Sequence, residues 1–142
     1  MNKIILIFLY LIVFLNACNS QKITNESIQG NWALINPSPS SYSELYIDTL
    51  KIYRYDINFG YDVSVKYRIE ENHLVILSYK PEFQNNGKIQ LNRNNQLVIK
   101  EGNYKGTFKK INDTLPKLEN LIKEQLTPDE YWSSFYKRIS KD

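Results

Sequence analysis

The chain has 142 residues, 42% of them hydrophobic, and a formal charge of +3 at pH 7. This is the size of one globular domain, and the small charge excess gives no indication of a nucleic-acid partner. A single cysteine and a single histidine exclude an intrachain disulfide and a metal cluster built from cysteine and histidine ligands.

The N-terminal segment has the pattern of an export signal. Lys3 is followed by an unbroken apolar run over residues 4–15. A helix of that length spans about 18 Å, too short for roughly 30 Å of hydrocarbon. A basic start, a short apolar run and a small residue before the cleavage point predict a secretory signal peptide over residues 1–17.

Residues 15–18 (LNAC) resemble the lipobox of bacterial lipoproteins, with Ala17 directly before Cys18. The resemblance implies that Cys18 is acylated, for example with palmitate, and becomes the first residue of the mature chain. Residues 18–27 then form a polar tether between lipid and domain. By analogy with bacterial sorting signals, Asn19 and the lack of an acidic cluster after Cys18 imply the outer membrane, facing the periplasm. The alternative is an ordinary secreted protein with a free cysteine.

A β-domain is predicted over residues 28–112. Its first strand, residues 28–34, carries a G-x-W motif in which Gly30 and Trp32 share one face. Two prolines then end the strand, because proline lacks an amide donor. Seven further β-rich segments follow, at residues 44–48, 50–56, 61–69, 73–79, 88–91, 96–100 and 104–111. Their short spacing predicts an antiparallel meander that closes on itself.

The clearest strand signal is the alternation over residues 61–69. Tyr61, Val63, Val65 and Tyr67 alternate there with polar residues. We therefore expect Val63, Val65 and Tyr67 to point into the core, and Ser64 and Lys66 to point outward.

The tail, residues 113–142, changes to a helical period. One helix is predicted at residues 114–125, and a second begins at Thr127, with Pro128 at its first position and Glu130 completing a capping box. The second helix carries an aromatic stripe of Trp132, Phe135, Tyr136 and Ile139. This stripe is predicted to dock on the β-domain, with a partner site as the alternative.

The G-x-W strand, the series of short strands and the final Lys109-Lys110 pair resemble the small lipocalin-like domains of bacterial lipoproteins. The resemblance implies a mostly β fold: an up-and-down antiparallel β-barrel of about eight strands, followed by one or two C-terminal α-helices. It also implies that Gly30 and Trp32 close one end, and that Lys109 or Lys110 lies over the Trp ring. Any ligand would occupy the mouth of the barrel. The candidate pocket-lining aromatics are Tyr53, Tyr55, Tyr61, Tyr67 and Phe108.

The triplet Asp-Thr-Leu occurs twice, at residues 48–50 and 113–115. It resembles an O-glycosylation motif of some bacterial secreted proteins. The resemblance implies a sugar on Thr49 and Thr114; a chance match of so short a motif is the alternative.

No set of residues indicates catalysis. His73 lies in a predicted strand without a nucleophile turn, and the chain has no glycine-rich phosphate loop and no metal-ligand spacing. We therefore predict no enzyme, no catalytic residue, no cofactor and no metal.

Two functions stay open for a membrane-anchored protein. One is an envelope binding protein for a small apolar or amphipathic ligand. The other is a protein-interaction lipoprotein without a ligand cavity, such as an assembly subunit or a toxin-neutralising inhibitor.

Overall fold

The computed structural model describes residues 22–38, 40–62, 64–77 and 86–140. The predicted signal peptide, Cys18, most of the predicted tether and Val63 lie outside these residues. The strands are β1 Gly30–Leu34, β2 Ser43–Ile47, β3 Lys51–Asp56, β4 Gly60–Tyr61, β5 Val65–Glu70, β6 His73–Leu77, β7 Asn86–Leu91, β8 Leu97–Ile99 and β9 Gly106–Lys110. The helices are α1 Asn25–Ile28, α2 Leu118–Ile122 and α3 Pro128–Ile139.

The strands form a closed antiparallel barrel. Each strand of the ring pairs with its neighbours in chain order, and β1 closes the ring by pairing with β9, where Trp32 lies opposite Lys110. The ring has eight strands, and β4 is an additional short strand on β3. The predicted fold class, an up-and-down barrel of about eight strands followed by C-terminal helices, is confirmed.

The prediction of one continuous strand over residues 61–69 is wrong at its start, because the pairing with β3 shifts by one residue between β4 and β5. Tyr61 lies opposite Tyr55, whereas Val65 lies opposite Ile52, so this segment has one residue more than the matching part of β3. An extra residue moves every side chain before it to the other face. Tyr61 therefore shares the outer face with Tyr55 and is exposed, while Val65 shares the inner face with Ile52.

The barrel interior is occupied by side chains that alternate inward along the strands. Trp32, Leu45, Ile52 and Phe108 are each almost fully buried in this inner cluster. Its remaining buried strand members are Ile47, Tyr67, Leu74, Ile76, Ile89, Leu97 and Ile99. A barrel of eight strands is just wide enough for side chains to fill it, and the inward side chains of the described residues are buried against one another.

The folded unit begins earlier than the predicted tether boundary. Thr24 caps the one-turn helix α1, and Ile23 and Ile28 on either side of that cap are buried in the inner cluster. The amide of Ile23 also donates to Asn72 Oδ1 (3.0 Å). The polar composition of residues 19–27 indicated a tether, but two isoleucines are sufficient to bury this turn in the end of the barrel.

The inward and outward alternation of β5 is testable by a pair of neighbouring substitutions. Val65→Asp should lower the free energy of unfolding by about 1–3 kcal/mol, because it places a carboxylate against the inner cluster. Lys66→Asp, on the exposed face, should change it by less than about 0.5 kcal/mol. Urea denaturation of the two variants gives the comparison, and equal shifts of the midpoint would contradict this register.

The first tail helix is shorter than predicted. Residues 114–125 were expected to be helical, but α2 covers only five of them. Asp113 accepts a hydrogen bond from the Leu115 amide, which makes a turn instead of a helix start. At the other end Glu124 adopts a left-handed φ of 55°, and the Gln125 amide bonds back to the Asn120 carbonyl. This pattern ends a helix.

Candidate functional site

One end of the barrel is closed around Trp32. The indole Nε1 donates to the Ile28 carbonyl (2.8 Å), which ties the ring to α1. Lys110 Nζ lies 5.3 Å from the ring centroid, in a cation–π position. Gly30 has a φ of +115°, and a Cβ at that position would lie 3.2 Å from Lys110 Cε. A glycine at position 30 thus allows both the positive φ and the close approach of the Lys110 side chain.

Lys109, the other candidate, is on the opposite side of β9. It lies opposite Ala33, whose side chain belongs to the outer cluster against the C-terminal helices. The structure therefore places Gly30, Trp32 and Lys110 together and Lys109 apart from them, as the alternation of neighbouring strand residues requires.

The candidate pocket-lining aromatics are divided between the two faces of the barrel. Tyr67 and Phe108 point inward and are buried in the inner cluster. Tyr53 and Tyr55 point outward and pack in the cluster that holds α3. Tyr61 is on the same outer face and exposed. Tyr53 and Tyr55 share one face of β3, and Ile52 lies on the other face. Because Ile52 points into the barrel, both tyrosines point outward.

The opposite end of the barrel is also occupied by side chains. Tyr104 is buried in the inner cluster, and the guanidinium carbon of Arg54 lies 5.5 Å from its ring centroid. Arg54 Nη2 pairs with Asp62 Oδ2 (2.6 Å), and its Nη1 donates to the Asn103 carbonyl (3.1 Å). Burial raises the pKa of Tyr104 to about 12, so its hydroxyl stays neutral at physiological pH.

A buried carboxylate joins the outside of the barrel to α3. Glu44 in β2 is fully buried, and Arg138 near the end of α3 is 6% exposed. Arg138 Nε donates to Glu44 Oε1 (2.6 Å) and Nη2 to Oε2 (3.0 Å). The hydroxyls of Tyr42 and Tyr131 donate to the same two oxygens, at 2.8 Å and 2.6 Å. We call these four residues the Glu44 clasp.

The Glu44 clasp has the chemistry of a structural site. A carboxylate has about four acceptor positions, and the four donors occupy them. Burial, followed by the charge of Glu44, raises the pKa of Tyr131 well above its usual value. Burial, the largest single influence, opposes the charge on Arg138, but the hydrogen bonds to Glu44 together with the charges of Glu44, Tyr131 and Asp113 outweigh it and raise the pKa of Arg138. Tyr131 and Arg138 therefore hold their protons firmly and are poorly suited to acid–base catalysis.

Around the clasp, α3 docks on the barrel as predicted, but with a face that only partly overlaps the predicted one. Of the four predicted residues Phe135 is buried and Trp132 and Ile139 pack on the outer cluster at its edge. Tyr131, Phe135 and Arg138 are buried, whereas Tyr136 is 47% exposed. Trp132 is only partly buried, with its ring 5.7 Å from that of Tyr55. The buried face of α3 is thus rotated about the helix axis, by about one residue, from the face that the sequence predicted. This rotation turns Arg138 toward Glu44. The predicted capping box of Thr127 and Glu130 is confirmed.

The rotation leaves aromatic rings at the surface. Tyr136 packs edge-on against Trp132, with centroids 4.7 Å apart. Tyr61 lies opposite Tyr55, the ring that Trp132 contacts, and Phe59 is 82% exposed in the preceding turn. The turn is held in place, because Asn58 Nδ2 donates to the Ser40 carbonyl (2.7 Å). We call Phe59, Tyr61, Trp132 and Tyr136 the aromatic surface.

Two recesses on the outside of the barrel are lined by described residues. One, of about 450 Å³, is mainly polar and lies between residues 113–117 and α2, with Glu119 and Asn120 in its lining. The other, of about 190 Å³, is lined by Tyr42, Lys109 and Arg138 among others. Both lie on the outer face, away from the inner cluster.

The two Asp-Thr-Leu triplets have the same local structure. Asp48 Oδ1 accepts from the Leu50 amide (2.7 Å), and Asp113 Oδ1 accepts from the Leu115 amide (3.1 Å). Each is a turn closed by an aspartate side chain, with the threonine exposed between the other two residues.

Metal-ligand groups and membrane-spanning helices are both absent from the described residues. Within them no group of three or more His, Cys, Asp or Glu side chains is placed to hold a metal ion. No helix in the described part of the chain has the length and apolar character needed to span a bilayer.

Comparison of the chain with protein-family models, with curated proteins and with solved structures found no match. The class of protein is therefore defined by architecture: a small closed antiparallel β-barrel whose described inward side chains are buried together, with C-terminal helices packed on its outside.

Sequence reasoning missed the Glu44 clasp. A signal was present, because Tyr131, Phe135 and Arg138 recur at i, i+4 and i+7, the spacing of a second helical face. Glu44 alternates with two apolar residues of β2, a pattern typical of a solvent-exposed position.

Proposed function

We propose that the mature protein is a lipid-anchored protein of the bacterial cell envelope that binds a protein partner on its outer surface. In this proposal Cys18 carries the lipid, the barrel is a rigid support, and the aromatic surface contacts the partner. In this proposal the protein acts as a binding module.

The observation that carries this proposal is the filled interior. A ligand-binding barrel needs a cavity of several hundred cubic ångströms, lined by apolar groups with a few polar ones. Here the inward side chains are packed against each other. Ile23 and Ile28 occupy one end, and Tyr104 with the Arg54–Asp62 pair occupies the other. This arrangement favours the protein-interaction function over a small apolar ligand.

The aromatic surface supports a protein partner. Large aromatic side chains are enriched among the residues that dominate binding energy at interfaces. Two of its members are backed by rigid elements: Tyr61 is paired to β3, and Trp132 packs on Phe135 with parallel rings 5.4 Å apart. Such pre-positioned rings lose little conformational entropy on binding.

The anchor is tested by Cys18→Ser. Acylation requires the thiol, so the variant should carry no fatty acid and should either keep its signal peptide or leave the membrane fraction. Metabolic labelling with an alkyne-bearing palmitate measures this, with Ser20→Ala as the matched control that should be labelled like the wild type. Labelling of the Cys18 variant at wild-type strength would contradict the proposed anchor.

The partner is tested by site-specific photocrosslinking in the native envelope. A photoreactive phenylalanine analogue at Phe59 or at Tyr136 should give adducts of the same mass, since both belong to the aromatic surface. The same analogue at Lys88, exposed on β7, should give none.

The two functions predict different results in a second measurement. If the barrel held a ligand, the folded domain would bind the apolar dye phenylnaphthylamine saturably, and a fatty acid would displace it. Saturable, displaceable dye binding together with absent crosslinks at positions 59 and 136 would overturn the proposal in favour of the ligand-binding function.

A further inference from the structure

We infer that the barrel end closed by α1 rests on the lipid bilayer, with the turn at residues 48–50 as its point of contact. This end, which we call the anchor end, comprises α1 and the turns at residues 48–50, 71–72 and 92–95. The inference rests on the proposed acylation of Cys18. It adds an orientation: the anchor end faces the membrane, and the turn carrying Phe59 faces away from it.

The covalent reach of the chain limits the distance between lipid and barrel. Five peptide units separate Cys18 from Ile23, so their Cα atoms are at most about 18 Å apart. Ile23 is fixed, because its side chain is buried in the inner cluster and its amide bonds to Asn72. An acyl chain in the bilayer therefore holds the anchor end near the headgroups.

The turn at residues 48–50 presents an apolar side chain at this end. Leu50 is 67% exposed, although it directly precedes the barrel strand β3. The turn is rigid: Asp48 Oδ1 accepts from the amides of Leu50 and Lys51, at 2.7 Å and 2.6 Å. The Tyr67 hydroxyl donates to the Asp48 carbonyl (2.8 Å) and joins the turn to β5. Leu50 is thus held outward by the fold.

The charges around Leu50 suit an anionic headgroup layer. Four basic residues belong to this end: Lys22 before α1, Lys51 beside the turn, Arg93 in the β7–β8 turn and Lys110 over Trp32. Three acidic residues accompany them: Glu26 in α1, Glu71 in the β5–β6 turn, and Asp48, whose Oδ1 is already bonded to two amides. Glu70, directly before the β5–β6 turn, is paired with Arg68 (2.7 Å), so this pair adds no net charge. The remaining basic excess is small.

A small excess is sufficient because the contact is intramolecular once the lipid is inserted. A tethered contact acts at the high effective concentration that a short linker gives, so one leucine and a few cations can set an orientation that they could not produce in a free protein. A protein partner at this end would have to fit between the barrel and the bilayer, within the reach of the tether. The geometry therefore favours the bilayer as occupant.

The test uses the acylated mature protein in vesicles of phosphatidylethanolamine and phosphatidylglycerol that carry a nitroxide on some headgroups. Acylation consumes the native cysteine, so one introduced cysteine takes a fluorophore uniquely. Asn94→Cys and Thr49→Cys place the label at the anchor end, and Asn58→Cys places it at the opposite end. We expect several-fold stronger quenching at positions 49 and 94 than at position 58.

Two matched substitutions test the role of the turn. In the Asn94→Cys background, Leu50→Asp should reduce the quenching severalfold, whereas Phe59→Asp, which changes an even more exposed apolar turn residue at the far end, should leave it unchanged. Far-ultraviolet circular dichroism of each variant shows that the fold is kept. Equal quenching at all three positions, or no effect of Leu50→Asp, would overturn the docking and leave the proposed function intact.

Intact mass separates the remaining outcomes. A mass without acyl groups would overturn both the docking and the proposed anchor. A sugar on Thr49 in protein from its native host would overturn the docking alone, because it would hold the turn off the bilayer.

Discussion

Arg138→Met is expected to lower the free energy of unfolding by about 3–5 kcal/mol, because it leaves the carboxylate of Glu44 buried without its cation. Methionine retains most of the volume and apolar stem of arginine. The loss therefore reports on the charge and the hydrogen bonds to Glu44 and to the Pro116 carbonyl. Urea denaturation at neutral pH measures it.

The chain contains a matched control for this change. Arg68 and Glu70 form an ion pair at 2.7 Å, close to the 2.6 Å of the Arg138–Glu44 pair, but both side chains are 55% exposed. Arg68→Met should cost less than about 1 kcal/mol, because water replaces the lost partner. Adding Glu44→Gln to Arg138→Met should recover part of the loss by removing the buried charge. Equal costs for the two arginine substitutions would show that the clasp does not join α3 to the barrel.

Phe135→Ala is expected to lower the free energy of unfolding by about 3–5 kcal/mol, since a fully buried ring is replaced by a cavity. The ring of Phe135 packs edge-on against Tyr42 at 4.9 Å and lies 5.1 Å from the ring of Tyr55. Its removal thus loosens α3 from both β3 and the segment before β2. Thermal unfolding followed by near-ultraviolet circular dichroism would show the loss of this aromatic packing.

Tyr136→Ala is the matched control on the next position of the same helix. Tyr136 is 47% exposed and contacts mainly Trp132, so its removal should cost less than about 1 kcal/mol. The sequence pattern predicted both residues on the docked face, whereas the structure buries only Phe135. A cost for Tyr136→Ala as large as that for Phe135→Ala would favour the face predicted from the sequence.

The two stability predictions also bear on the proposed function. Tyr136 belongs to the aromatic surface, so Tyr136→Ala should weaken partner crosslinking from position 59 while leaving the protein folded. Phe135→Ala and Arg138→Met should weaken crosslinking only as far as they unfold the chain. Comparing crosslinking with the folded fraction therefore separates a binding residue from a residue that supports the fold.

The sequence by itself determined the elements that depend on local chemistry. The period-two alternation and the turn residues predicted the barrel and its meander, because each strand pairs with its neighbour in the chain. The capping box at Thr127 was predictable for the same reason, since its hydrogen bonds join residues three positions apart. The sequence left two candidates, Lys109 and Lys110, for the lysine that lies over the Trp32 ring. Alternation identifies Lys110 only when the pairing of β9 with β1 is known.

Only the tertiary structure decided which face of α3 is buried and which face of β3 carries the tyrosines. Glu44 and Arg138 are 94 positions apart in the chain, and the residues next to each in the sequence do not indicate that the other will cover it. The one-residue shift of pairing between β4 and β5 is likewise not visible in the regular alternation of the sequence, because it exists only relative to the register of β3. Side chains far apart in the sequence meet through the closed barrel. Hydrophobic periodicity alone determines the rotation of α3 about its axis only to within about one residue. Burying the charge of Arg138 together with its partner Glu44 then selects one rotation.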